Sequence, residues 1–245
     1  MDNLILSNEH NGVLSITINR VDKKNALNND MYLELCRLFT LANENNDIRC
    51  VLIQGDEKCF CAGNDLQDFI KCSESGDLAA FDLVKALAAL EKPLVAAVAG
   101  PAVGIGTTLL LHCDMIYAAN NAKFKLPFTQ LGLSPEAGSS LLLPLRLGHN
   151  RAFELLVLGK MFNAEQAQEY GLINDICAED ELLSTALATA ENIAKLPLDS
   201  LLTSRKLMKA HTQALLPQVM ENEAEQFKRL VNTDECKTIL NSFFK

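Results

Sequence analysis

Three segments carry residue types that could do chemistry: Cys59-Phe60-Cys61-Ala62-Gly63-Asn64-Asp65-Leu66, Ala99-Gly100-Pro101-Ala102-Val103-Gly104-Ile105-Gly106, and Leu131-Gly132-Leu133-Ser134-Pro135-Glu136-Ala137-Gly138-Ser139-Ser140. In the first two, the small residues Ala62, Gly63, Gly104 and Gly106 let main chain approach a ligand closely. The amides of Asn64 and Ile105 are then free to point inward, and two such donors make an oxyanion hole. The same glycines read equally well as turns that lead into helices. The third segment supplies a carboxylate. Ser134 suits an N-cap, Pro135 the first helical position, and Glu136 the first turn, where the helix dipole favours negative charge. Leu131, Leu133, Leu141, Leu142 and Leu143 surround it. A carboxylate among apolar neighbours has a raised pKa and acts as a base once substrate expels water.

Other constellations are weaker. Gly104-Ile105-Gly106-Thr107-Thr108-Leu109 lacks the third glycine of a dinucleotide fingerprint and an acidic residue near Gln130, and there is no Gly-Lys-Ser/Thr phosphate loop. His112-Cys113-Asp114 has metal-capable atoms but no partner cluster, so it reads as a buried helix end and no metal is expected. Cys59-x-Cys61 reads as packing, and Ser139 and Ser140 lack a nucleophile elbow or a His/Asp partner.

The elements that must hold these segments are legible in the hydropathy pattern. Leu14, Ile16 and Ile18 alternate as a strand that ends at the polar turn Asn19-Arg20-Val21-Asp22, and an edge hairpin is expected to open the fold. Met31, Leu35, Leu38, Phe39 and Ala42 recur at helical spacing over 29–43, and Val51-Leu52-Ile53 follows as a buried strand. The theme returns as a helix over 78–90, a strand over 94–98, a helix over 104–113 and a strand over 115–117. Such alternation implies parallel pairing with helical crossovers. Each chemical segment then sits at a strand-to-helix junction on one sheet edge. After Pro135 helical patterns dominate, over 151–158, 164–170, 179–195, 198–215 and 218–244.

Composition narrows the classes of function. The chain has 245 residues, 49% of them hydrophobic, and a formal net charge of −9, so no overall positive field attracts nucleic acid or an anionic membrane. No run of about eighteen apolar residues is present, and Met1 to His10 lacks the regions of a signal peptide. A soluble, cytoplasmic protein is expected. The eight cysteines sit mainly inside apolar runs and read as reduced thiols.

Asn19-Arg20-Val21-Asp22-Lys23-Lys24-Asn25-Ala26-Leu27, Phe60-Cys61-Ala62-Gly63-Asn64-Asp65-Leu66, the stretch from Pro93 to Asp114, and Leu131-Gly132-Leu133 together resemble the crotonase, or enoyl-CoA hydratase/isomerase, superfamily across essentially the whole chain. The resemblance implies an α/β fold: a spiral of strand-strand-helix units over 1–195 and a helical trimerisation region over 196–245, assembled as a homotrimer or a dimer of trimers. The implied ligand is an acyl-CoA thioester, with coenzyme A part of the substrate and no separate cofactor. Lys24, Ala26, Ala62, Gly63, Asn64, Asp65, Leu66, Ile105 and Gly106 are the implied substrate-binding residues. Lys23 or Lys24 would meet a CoA phosphate or belong to a solvated loop. Arg205, Lys206 and Lys209 would reach a phosphate or form a solvated helix face.

Hydratases of this superfamily use two glutamates, and the corresponding positions here hold Thr108 and Phe128. Ser134-Pro135-Glu136, with Gly63-Asn64-Asp65-Leu66 and Pro127-Phe128, is similar instead to the peroxisomal type of Δ3,Δ2-enoyl-CoA isomerase, which has a lone glutamate base at the position of Glu136. Phe243-Phe244-Lys245 is not a peroxisomal address, and no acyl-CoA-binding module precedes the core, which suggests a cytoplasmic relative. The implied catalytic set is Glu136 with the amides of Asn64 and Ile105. The alternatives are hydration, acyl-CoA hydrolysis, or a non-catalytic acyl-CoA-binding subunit.

Overall fold

The computed structural model describes residues 3–75 and 79–243, with the backbone alone at 72–75. The start of the helix expected from Leu78, the Cys72 thiol, Met1 and the Phe244-Lys245 end lie outside the described residues or side chains.

Strands β1 (Ile5–His10) and β2 (Val13–Ile18) form the expected antiparallel hairpin, with Ile5 opposite Ile18. Helix α1 (Asn29–Glu44) leads to β3 (Cys50–Gln54). Helices α2 (Leu66–Ser75) and α3 (Ala79–Ala89) lead to β4 (Leu94–Val98). Next come β5 (Pro101–Val103), α4 (Ile105–Thr108), β6 (Met115–Ala119) and β7 (Lys123–Lys125). Helices α5 (Ser139–Leu147) and α6 (His149–Leu156), β8 (Phe162–Asn163), α7 (Ala164–Glu169) and β9 (Asp175–Cys177) follow. The described chain ends in α8 (Leu182–Ala194), α9 (Leu198–Gln213), α10 (Leu216–Val231) and α11 (Asp234–Ser242).

The main sheet has the order β1-β2-β3-β4-β6-β9, parallel from β2 onward, and β5-β7-β8 form a second, smaller sheet. Strand alternation sends Val51 and Ile53 into the core with α1 and α3. Cys50 and Leu52 point to the other face, where Ala186, Ala190 and Ala194 of α8 cover the sheet. The fourfold spacing of these alanines gives α8 a small-residue stripe against the strands.

Three expectations are corrected. The helix expected over 104–113 is α-helical only to Thr108 and tightens to a 3-10 turn over Leu109–His112. The helix expected over 218–244 is two helices, because the Thr233 side chain accepts from the Cys236 N–H and starts α11 afresh. The cations of α9 do not form a wholly solvated face. Arg205 Nε meets Asp114 at 2.8 Å, Lys209 Nζ meets the same carboxylate at 3.2 Å, and Arg205 also donates to the Leu90 carbonyl, while Lys206 is exposed.

Asp114 in turn accepts from the Leu94 N–H, so this network fastens α9 to the N-terminal edge of β4 and β6, opposite the strand ends that carry the site. Asp114→Ala leaves Arg205 buried and unpaired, and is expected to cost about 3–5 kcal/mol. A thermal melt should show Tm lowered by at least about 6 °C.

Cys36, Cys50, Cys59, Cys61, Cys113, Cys177 and Cys236 are free thiols, and burial pushes those of Cys50, Cys61 and Cys113 up to about 12. Among the described residues no helix is long and apolar enough to cross a membrane.

Candidate active site

The two glycine-rich segments are locked to each other by main chain. The Val103 N–H donates to the Cys61 carbonyl at 2.9 Å, and Cys61 N–H donates to the Pro101 carbonyl at 3.1 Å. Leu27 takes the other side, donating to the Gly63 carbonyl and accepting from the Asp65 N–H, both at 2.8 Å. Those bonds flank Asn64, whose own N–H therefore points away from Leu27. Ile105 opens α4 after Gly104, so its N–H is one of the donors a helix start leaves free. Among the described residues neither amide has a partner.

Glu136 reaches the same place by a route different from the expected one. Helix α5 begins at Ser139, not at Pro135, because Ala137 (φ 59°) and Gly138 (φ 70°) turn the chain through two consecutive left-handed residues. Ser134 is consequently no N-cap; its hydroxyl is buried and has no partner among the described residues. Glu136 lies outside the helix, which removes the helix-dipole account of its position. It is 9% exposed, and one carboxylate oxygen accepts from the Thr108 hydroxyl at 2.5 Å. Burial raises its pKa to about 8; the Thr108 hydroxyl pulls it down and the Glu223 charge pushes it up.

A cavity of about 300 Å³ runs along Ala62, Gly63, Asn64, Leu66 and Ile105, with Phe69 and Phe227 on its far wall. It adjoins a narrow recess where Asn64, Ile105, Phe69 and Phe227 meet Glu136 and Tyr32. Glu136 and the residues of both free amides therefore line one recess. Phe227, on α10, packs edge-on to Phe69 and Phe81 at 5.8 and 5.9 Å between ring centres.

The other expected site residues stand apart from this cavity. Asp65 is tied to Arg20 at 2.7 Å and accepts from the Gln67 and Asp68 amides at the start of α2, which together hold its pKa down against burial. Lys24 is exposed, with its carbonyl accepting from Ala62, and the Ala26 carbonyl accepts from Arg20. Gly106 lies behind the amides rather than in the cavity: a Cβ there would sit 2.6 Å from the Cys61 carbonyl oxygen.

Sequence reasoning missed Tyr32 and Phe227. Tyr32 donates to Asn64 Oδ1 at 2.5 Å, and burial raises its pKa well above that of a free phenol. Its signal in the sequence was one more apolar position on α1. Among the described residues no group of three or more His, Cys, Asp or Glu is placed to hold a metal ion.

Residues 8–245 match the family described as Enoyl-CoA hydratase/isomerase. The chain belongs to that family. It is 38% identical to the 1,2-epoxyphenylacetyl-CoA isomerase of Escherichia coli over 80% of this chain and 78% of that one. It is 33% identical to enoyl-CoA delta isomerase 2 of Rattus norvegicus over 98% of this chain, and spans 63% of that longer relative. The crystal structure of an enoyl-CoA hydratase/isomerase from Pseudoalteromonas atlantica superposes with a TM-score of 0.95 at 39% identity, covering 99% of this chain and 97% of that one. The α/β crotonase fold follows from these matches, and they support a reaction of this family on an acyl-CoA thioester.

Gly106→Ala is expected to prise α4 away from Cys61 and separate the two amides. Displacements of this size cost on the order of 100-fold in turnover. Steady-state rates on an enoyl-CoA, read beside a melting curve that shows the fold retained, check this.

Proposed function

We propose that this protein moves the double bond of a 3-enoyl-CoA into conjugation, giving the 2-trans-enoyl-CoA. The observation that carries the reading is a solitary carboxylate. Among the described residues lining the recess and its cavity, Glu136 is the one acid, while the positions of the two hydratase glutamates hold Thr108 and Phe128. Adding water across a double bond calls for groups that activate the water and protonate carbon, whereas a proton shift within one substrate needs a single acid used twice.

In this reading the thioester carbonyl lies between the Asn64 and Ile105 amides, which stabilise the charge that develops as Glu136 takes a proton from the α-carbon. A dienolate forms, with its charge spread from the carbonyl oxygen to the γ-carbon. Protonated Glu136 then delivers the same proton to the γ-carbon, and the α,β double bond is complete. No metal or redox cofactor enters the balance. A pKa near 8 suits the task, since the group gives up and regains a proton near neutrality. Ala62, Gly63 and Leu66 would line the pantetheine and acyl path, and Lys24 and Ala26 the nucleotide end. Assembly as a homotrimer through 196–245 belongs to the same proposal.

The test compares three substrate types. A 3-enoyl-CoA should yield the ultraviolet absorbance of the conjugated thioester, while a 2-enoyl-CoA should hydrate and a saturated acyl-CoA release free thiol at least about 100-fold more slowly. Faster hydration or thiol release would assign the alternative reaction.

A further inference from the structure

The peptide that joins Ala137 to Gly138, one residue beyond Glu136, is held at both of its polar atoms by side chains from distant elements. Its carbonyl oxygen meets His112 Nε2 at 2.8 Å, and its N–H donates to Glu223 Oε2 at 2.6 Å. His112 closes the 3-10 turn after α4, and Glu223 sits on α10. Both side chains are buried, at 4% and 7% exposure.

A carbonyl can only accept, so His112 Nε2 carries a proton and donates. Burial pushes this imidazole down to about 4, which keeps it neutral at physiological pH. Glu223 also accepts from the Ser140 N–H at 2.9 Å and from the Ser140 hydroxyl at 2.5 Å. Gly138 offers no side chain to cap α5, so a carboxylate 85 residues away serves the amides at the helix start, where the dipole favours it.

A peptide gripped at one atom can still swing about that bond, but one gripped at opposite ends is fixed in orientation. The grip fixes ψ of Ala137 and φ of Gly138, in a left-handed pair that a non-glycine residue adopts only at a cost on the order of 1 kcal/mol. Local sequence would release that strain; the two buried side chains prevent it. The Cα of Ala137 belongs both to this peptide and to the one that follows Glu136, so the grip anchors the chain one residue beyond the Glu136 side chain.

We propose that His112 and Glu223 are positioning residues, which aim Glu136 at the amide pair by locking the Ala137–Gly138 peptide from both sides. The inference rests on the reading of Glu136 as the base.

Four variants of the full chain test it with a 3-enoyl-CoA: H112L, H112Q, E223Q and E136Q. H112L removes the donor at similar volume, while glutamine can present an N–H at the reach of Nε2. E223Q keeps shape but sets an NH₂ group against donors. In H112L and E223Q, kcat per folded molecule should fall at least about tenfold with KM within about threefold, and H112Q should recover most of the loss of H112L. Folded protein is counted by circular dichroism, so a purely structural role would leave kcat per folded molecule unmoved. Should H112L fail to fold, the kcat-against-KM split in E223Q decides. Full kcat in folded H112L or E223Q beside an inactive E136Q overturns this proposal and leaves Glu136 as the base. Normal turnover by E136Q overturns both.

Discussion

Replacing Glu136 by Gln is expected to reduce isomerisation of a 3-enoyl-CoA by about a hundredfold to ten-thousandfold, with little change in affinity for the thioester. The variant keeps the side-chain volume and can still accept from Thr108, whose hydroxyl lies 2.5 Å from the carboxylate. It cannot take a proton from carbon. Because the loss falls on a step made after binding, kcat and kcat/KM should fall together. Binding of a saturated acyl-CoA, measured by calorimetry, should survive. An E136Q enzyme that turns over within a few-fold of wild type would remove the base from the mechanism.

The same residue sets two pH dependences. With its pKa raised to about 8, roughly a tenth of the free enzyme carries the carboxylate at pH 7, so kcat/KM should climb about tenfold per unit and level off above 8. Stability moves the opposite way. The folded state holds the Glu136 proton more tightly than the unfolded chain, so this group's contribution is intact below the ordinary glutamate pKa and is lost as pH rises through about 8. E136Q has nothing to titrate there. Its Tm relative to wild type should therefore rise between pH 5 and pH 8, which a series of melts would show.

What could be seen in the sequence was what local pattern controls. The alternation of Leu14, Ile16 and Ile18, the helical period of α1 and the small residues around Gly63 and Gly104 each specify backbone within a few residues. They sufficed to bring Asn64 and Ile105 to one edge. Short strands such as β5, β7 and β8, of two or three residues, carry too little pattern to register. The break between α10 and α11 was signalled, since Thr233 precedes two acidic residues in the way of a helix start, but the apolar period running through it hid the cap. The turn at Glu136 was not legible. Its two left-handed residues are held by groups 25 and 85 positions away, and Ser134-Pro135 imitated a helix start that tertiary contacts postponed. Tyr32 likewise gains its place only because Asn64, 32 residues on, folds against it.

Ile105→Pro should cost about 100-fold to 1,000-fold in kcat, the effect of removing one oxyanion donor, equivalent to about 2.7–4 kcal/mol. Side-chain deletion cannot test a backbone amide, but proline deletes the N–H itself, and the backbone accommodates that substitution here. Ile105 is the first residue of α4, where proline's fixed φ is accommodated, and its N–H serves no hydrogen bond among the described residues. Gly104, the residue before it, tolerates the restriction that proline imposes on its predecessor, having no Cβ and open space around it. The amides that build α4, those of Thr107 and Thr108, still reach the Gly104 carbonyl. Folding should therefore persist in a melt, acyl-CoA binding should weaken only modestly, and the loss should concentrate in kcat. If instead the Ile105→Pro enzyme stays folded and isomerises at the wild-type rate, charge on the thioester oxygen is not stabilised by this amide, and the hole would have to be sought elsewhere around Glu136.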